Sequence, residues 1–197
     1  MYLFFEIIGT IAFAISGAMA AVRKKMDILG VVTLGITTSI GGGTIRDIIM
    51  GVTPPRSLTS PLYVGIAFVV SLLVFIPYFR KRINVDNKLL NLVDAIGLGT
   101  FTVVAFETAS TLNNVYLQVF LSVLTGVGGG VLRDIFSAEE PVIFVKRFYA
   151  TASLAGAVVC AVFYRADHRA AMLLGIVTTV VLRILAAKYK WNLPRAE

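Results

Sequence analysis

The chain has one cysteine, one histidine and one tryptophan among its 197 residues. A lone thiol, Cys160, excludes an intrachain disulfide and any cysteine metal cluster. It reads instead as a small packing residue, with Ala152 and Gly156 at four-residue spacing. The lone imidazole, His168, sits in the polar stretch "YRADHRA" and reads as a solvated loop residue. With no nucleophile–base pair and no carboxylate–histidine cluster, the sequence points away from an enzyme. Charge is scarce as well: 15% of residues are charged, against about 25% in a soluble domain. Nucleotide signatures are missing too. "GVGGGV" ends on Val131 where a dinucleotide fingerprint needs glycine, and no Lys-Ser/Thr follows either glycine triple. No cofactor is expected.

What fills the chain is apolar sequence. Hydrophobic residues make up 57% of it and the mean hydropathy is +0.86. A hydrocarbon core of about 30 Å needs about 20 apolar residues in a helix. With charges as punctuation, seven such stretches are expected at about 2–22, 28–50, 62–79, 89–109, 115–137, 148–164 and 171–187. Runs such as "VGIAFVVSLLVFIPYF" do not alternate, which excludes a strand barrel. The fold class expected is therefore an all-α membrane protein with seven transmembrane helices. The first helix is retained and not a signal peptide, because its basic residues, Arg23, Lys24 and Lys25, follow the apolar run instead of preceding it.

Basic residues set the orientation. With the N-terminus outside, inner segments hold Arg23, Lys24, Lys25, Arg80, Lys81, Arg82, Lys88, Lys146, Arg147, Lys188, Lys190 and Arg195, while outer ones hold Arg56, Arg165 and Arg169. The positive-inside rule then predicts an inner-membrane protein with the N-terminus outside and the C-terminus in the cytoplasm. The net charge of +7 is thus a topology signal answered by lipid headgroups. It gives no reason to expect nucleic acid as a partner. Arg183, a turn from the end of the last helix, is expected to snorkel towards the interface.

One feature interrupts the apolar background twice. "GGGTIRDI" at 41–48 returns as "GGGVLRDI" at 128–135, identical at six of eight positions. Glu6 with Asp94, Gly9 with Gly97, Phe13 with Phe101 and Tyr63 with Tyr149 match at nearly the same offset. The chain thus divides into a three-helix repeat at 1–87, a second at 88–165, and a seventh helix with its tail at 166–197. Three helices per copy is odd, so the second copy enters from the opposite side. Inverted repeats of this kind place their working site near the midplane.

Each glycine in a helix costs about 1 kcal/mol against alanine. Three in a row point in three directions, so packing against one neighbour does not account for them. The sequence predicts instead a bend or unwound turn at Gly41, Gly42 and Gly43 and at Gly128, Gly129 and Gly130. Freed carbonyls there, with the hydroxyls of Thr37, Thr38, Ser39, Thr44 and Thr125, would suit a hard monovalent cation. Arg46, Asp47, Arg133 and Asp134 follow within a turn. Ionisable residues at this depth face a cavity or one another, so the pairs read as salt bridges within or between repeats, as charges lining a pore, or as both at once.

These features, two inverted three-helix repeats with Gly-Gly-Gly-x-x-Arg-Asp on helices two and five, resemble the prokaryotic branch of the trimeric intracellular cation (TRIC) channels over nearly the whole chain. The resemblance implies a homotrimer in which each protomer carries its own pore between helices two and five, passing K⁺ and Na⁺. It carries the pore role onto both glycine triples and onto Arg46, Asp47, Arg133 and Asp134. Related sequences are also grouped under a glycine-transporter label. The alternative is thus a secondary transporter of a small amino acid, with Glu6, Asp94 or Glu107 as candidates for proton coupling. The stripes Ala152, Gly156, Cys160 and Ser153, Ala157, Ala161 offer close packing either within or between protomers.

Overall fold

The computed structural model describes residues 1–78, 87–145 and 148–191. Arg80, Lys81, Arg82, Lys146, Arg147 and Arg195 of the charge count lie outside the described residues. The long helices are α1 (Tyr2–Arg23), α2 (Ile28–Ile49), α3 (Pro61–Phe75), α4 (Asn87–Ala109), α5 (Val115–Phe136), α6 (Tyr149–Phe163) and α7 (His168–Tyr189). Single helical turns at Arg56–Thr59 and Val142–Val145 precede α3 and α6, and no strand occurs among the described residues.

Local chemistry sets the ends. Asp27 caps α2 by accepting from the Gly30 N–H at 2.8 Å. Its repeat-mate Asn114 caps α5 through the Leu117 N–H at 3.1 Å. Asp167 caps α7, and donation from the Ala170 and Arg169 N–H groups holds its exposed carboxyl below the ordinary range. Five helical segments, α1, α2, 89–112, α5 and α7, are long and apolar enough to cross a membrane. Helices α3 and α6 are shorter than the sequence pattern suggested, at 15 residues each, or about 22 Å. The first stops because Ile76, which precedes Pro77, turns extended. The second starts late because Phe148 takes a positive φ.

Helices α1, α2 and α3 pack on one another, as do α4, α5 and α6. The triplets meet through equivalent partners, α1 against α4 and α2 against α5, while α7 lies on α4 and α6. The α6 stripe answers a question left open by the sequence: Gly156 faces the Gly175 carbonyl and Thr179, and Ser153 shares a 2.7 Å hydrogen bond with Thr102. That face packs within the protomer.

The expected unwound turn is absent. Helices α2 and α5 run unbroken through both glycine triples. Most of these glycines are contact points, each with its own neighbour. A side chain on Gly42 would strike the Thr125 backbone carbonyl, and one on Gly129 the Thr38 carbonyl; these are the same contact in the two copies. Gly128 faces the Gly42 Cα, Gly41 faces Leu132, and Gly130 faces the Tyr149 hydroxyl. Gly43 alone of the six has open space around it. Runs of glycine suit α2 and α5 because each is wedged among several helices, so that more than one face must be bare at once; Gly43 is the exception, with nothing packed against it. The expectation of freed carbonyls fails with the break. The hydroxyls of Thr38, Ser39, Thr44 and Thr125 each donate to the carbonyl four residues back.

Candidate functional site

Two cavities lie along the same helices, at opposite ends of α1. The smaller, about 120 Å³, is lined among others by Tyr2, Glu6, Thr10, Ser39, Gly43 and Arg46. The larger, about 500 Å³, is lined by Ser16, Ala20, Asp94, Arg133, Asp134 and Arg183 with residues nearer its mouth. The Glu6–Ala20 distance along the helix is about 21 Å.

Each Arg-Asp motif is built to the same plan. Arg46 donates to Asp47 Oδ1 from Nε at 2.9 Å and Nη2 at 2.7 Å. Arg133 donates to Asp134 Oδ1 from Nε at 2.8 Å, with Nη2 also 2.8 Å away. The second oxygen of each aspartate accepts the N–H of the residue that opens the following helical turn, Arg56 in one copy and Val142 in the other, both at 2.9 Å. One carboxylate thus fixes an arginine at the cavity wall and anchors the loop that closes the cavity. All four side chains are buried. The charge of each guanidinium is balanced by the carboxylate next to it.

The first-helix carboxylates differ between copies. Asp94 is held by charge: Arg133 Nη1 lies 2.5 Å from Oδ1 and Arg183 Nη2 3.7 Å from Oδ2. Ser16 and the Tyr149 hydroxyl also face it. Glu6 is held by neutral donors, the Tyr2 hydroxyl at 2.8 Å and the Tyr63 hydroxyl. Among the described residues Glu6 makes no ion pair. Tyr63 and Tyr149, like Glu6 and Asp94, are repeat-mates, and each tyrosine hydroxyl donates to the first-helix carboxylate of its own copy.

Several sequence expectations shift. Arg183 does not snorkel: it is 6% exposed, paired with Asp94 and stacked over the Tyr149 ring at 4.5 Å. Of the candidate pore residues, Ser39, Gly43 and Arg46 line the smaller cavity and Arg133 and Asp134 the larger. Thr44 reaches the smaller only through a 2.8 Å bond with Ser57. Thr37, Thr38, Thr125, Gly41, Gly42, Gly128, Gly129 and Gly130 line neither. Glu107 also lines neither cavity. Thr10 and Ser16 went unseen because a hydroxyl in an apolar helix carries no motif. Their signal was their place on the same face of α1 as Glu6.

Comparison with known proteins agrees with this geometry. A sequence family described as Glycine transporter matches residues 3–78 and 91–165, two blocks whose starts are 88 residues apart (91 − 3). The UPF0126 inner membrane protein YadS of Escherichia coli K12 is 34% identical over 193 residues, 96% of this chain and 93% of YadS. A UPF0126 membrane protein of Deinococcus radiodurans is 39% identical over 160 residues, 77% of this chain and 71% of its own length. Among solved structures, a TRIC cation channel is 44% identical with a TM-score of 0.88, covering 98% of this chain and 96% of that one. A prokaryotic TRIC channel in 0.5 M KCl gives 35% and 0.89, with 98% of both chains covered. The chain belongs to this family, and its fold is that of the prokaryotic TRIC channels. In this chain α2 and α5 meet at Gly42 and Gly129, and the two cavities are lined from opposite ends of α1.

Proposed function

We propose that the protein is a monovalent cation channel, passing K⁺ and Na⁺ through a pore within each protomer, assembled as a homotrimer in the inner membrane. The observation that carries this reading is the pair of carboxylate- and hydroxyl-lined cavities set at opposite ends of α1 within one protomer. The pathway runs from Glu6, Thr10 and Ser39 to Ser16 and Asp94. Each motif arginine on this route is neutralised by an adjacent aspartate, so the arginines do not repel a cation as two free charges would. Glu6 accepts from tyrosine hydroxyls and makes no ion pair among the described residues, so no fixed cation competes with the ion for it. The homotrimer and the cation come from the TRIC structures, and the inverted repeat from the equivalence of the two motif copies. The N-terminus is outside by the distribution of basic residues. Membrane lipids surround the trimer.

The family description favours a second reading, a glycine transporter whose two cavities would open alternately. A planar-bilayer recording of the purified protein under a KCl gradient separates the two. Discrete steps reversing near the potassium potential are expected of the channel. Electrical silence with saturable glycine uptake into vesicles would replace it with the transporter.

A further inference from the structure

The face of α1 that lines both cavities carries Glu6, Thr10, Ser16 and Ala20. Phe13 falls on this face, three residues from Thr10 and from Ser16, about 4.5 Å along the axis each way, and it lines neither cavity. It is 1% exposed. Its ring lies against that of Phe101 on α4, with centroids 5.2 Å apart and planes at 38°. Phe101 forms part of the inner wall of the Glu6 cavity.

The glycines beside the rings explain how two aromatics fit between close helices. A side chain on Gly97 would collide with the Phe13 ring, and one on Gly9 would come within 3.1 Å of the Phe101 ring. The notches are reciprocal: the phenylalanine of each repeat sits over the glycine of the other. Gly129 supplies a third bare surface, where a Cβ would lie 2.8 Å from the Phe13 ring. Gly129 itself lies against Gly42 where α2 and α5 meet.

We infer that Phe13 and Phe101 are the constriction of the conduction path, a dry aromatic seal between the two cavities that must part before an ion passes. The inference rests on the channel reading for its consequence but not for its geometry. An apolar constriction holds back a hydrated cation because the ion would have to shed water with no oxygen offered in return. The polar groups stop on either side, at Thr10 and Ser39 on one and at Ser16 and Asp94 on the other. Replacing one ring by a small side chain therefore admits water to the gap and connects the cavities.

Two measurements test this. In bilayers, Phe13→Ala and Phe101→Ala should each raise mean cation current several-fold, and Phe13→Trp should lower it. Phe13→Leu, which keeps an apolar side chain of intermediate size, should fall between parent and Phe13→Ala. The second measurement needs no current. In a Cys160→Ala background, Ala20→Cys is probed in sealed vesicles with a membrane-impermeant thiol reagent applied from either side. With Phe13 in place it should react only from the Asp94 side; with Phe13→Ala added it should react from both. Assembled variants that conduct like the parent and keep one-sided labelling would overturn the seal. A silent parent whose labelling still becomes two-sided in Phe13→Ala would instead overturn the channel reading and leave the seal standing.

Discussion

Two adjacent glycines should respond to the same substitution with opposite signs. Gly→Ala in a helix interior gains about 1 kcal/mol of helix propensity. At Gly43 the added methyl meets nothing nearer than an Arg46 nitrogen at 3.9 Å, so that gain is kept. At Gly42 the methyl strikes the Thr125 backbone carbonyl, which cannot rotate away as a side chain can. Forcing extra volume into a packed contact costs about 1–3 kcal/mol, and here α2 and α5 must move apart. The net at Gly42 is a loss of about 0–2 kcal/mol, after the propensity gain of about 1 kcal/mol is subtracted. A chain of this size shifts its midpoint by about 2–4 °C per kcal/mol. Thermal unfolding of purified Gly43→Ala should therefore move up a few degrees and Gly42→Ala down. The repeat predicts that Gly129→Ala behaves like Gly42→Ala, because it meets the Thr38 carbonyl. Stabilisation by Gly42→Ala comparable to that of Gly43→Ala would refute the close crossing and restore the unwound turn.

Arg133→Gln leaves Asp94 and Asp134 short of a buried counter-charge. It should cost about 3–5 kcal/mol, read as lost yield and a lower melting temperature, with Asp94→Asn recovering part of the loss in the double variant. Arg183→Gln should also destabilise, since the guanidinium is buried against Asp94 and Tyr149; melting unchanged from the parent would return Arg183 to the interface. Glu6→Gln should leave the fold intact, since the amide oxygen still accepts from one tyrosine hydroxyl and the amide NH2 donates to the other. It should also move the reversal potential in a KCl gradient towards zero; an unmoved potential removes Glu6 from the selection of cations. Crosslinking in mild detergent should capture a trimer, and monomer alone at saturating reagent would count against that assembly.

Composition and the doubled motif determined the compartment, the helical class, the two-copy organisation and the family, because hydropathy and internal repetition are properties of the chain written in one dimension. Pairing Glu6 with Asp94 and Phe13 with Phe101 needed only the offset between copies. The purpose of the glycines was not legible. A bare backbone serves equally for a bend and for a close crossing, and only the position of the Thr125 and Thr38 carbonyls decides between them. Arg183 was misjudged for a related reason: its distance from a helix end allowed snorkelling, and nothing local revealed that Asp94, 89 residues earlier (183 − 94), would reach it. The same holds for the difference between Glu6 and Asp94. The sequence makes them equivalents, but the tertiary packing of α7 brings a second cation to Asp94. The unpaired seventh helix is what breaks the symmetry between the two cavities.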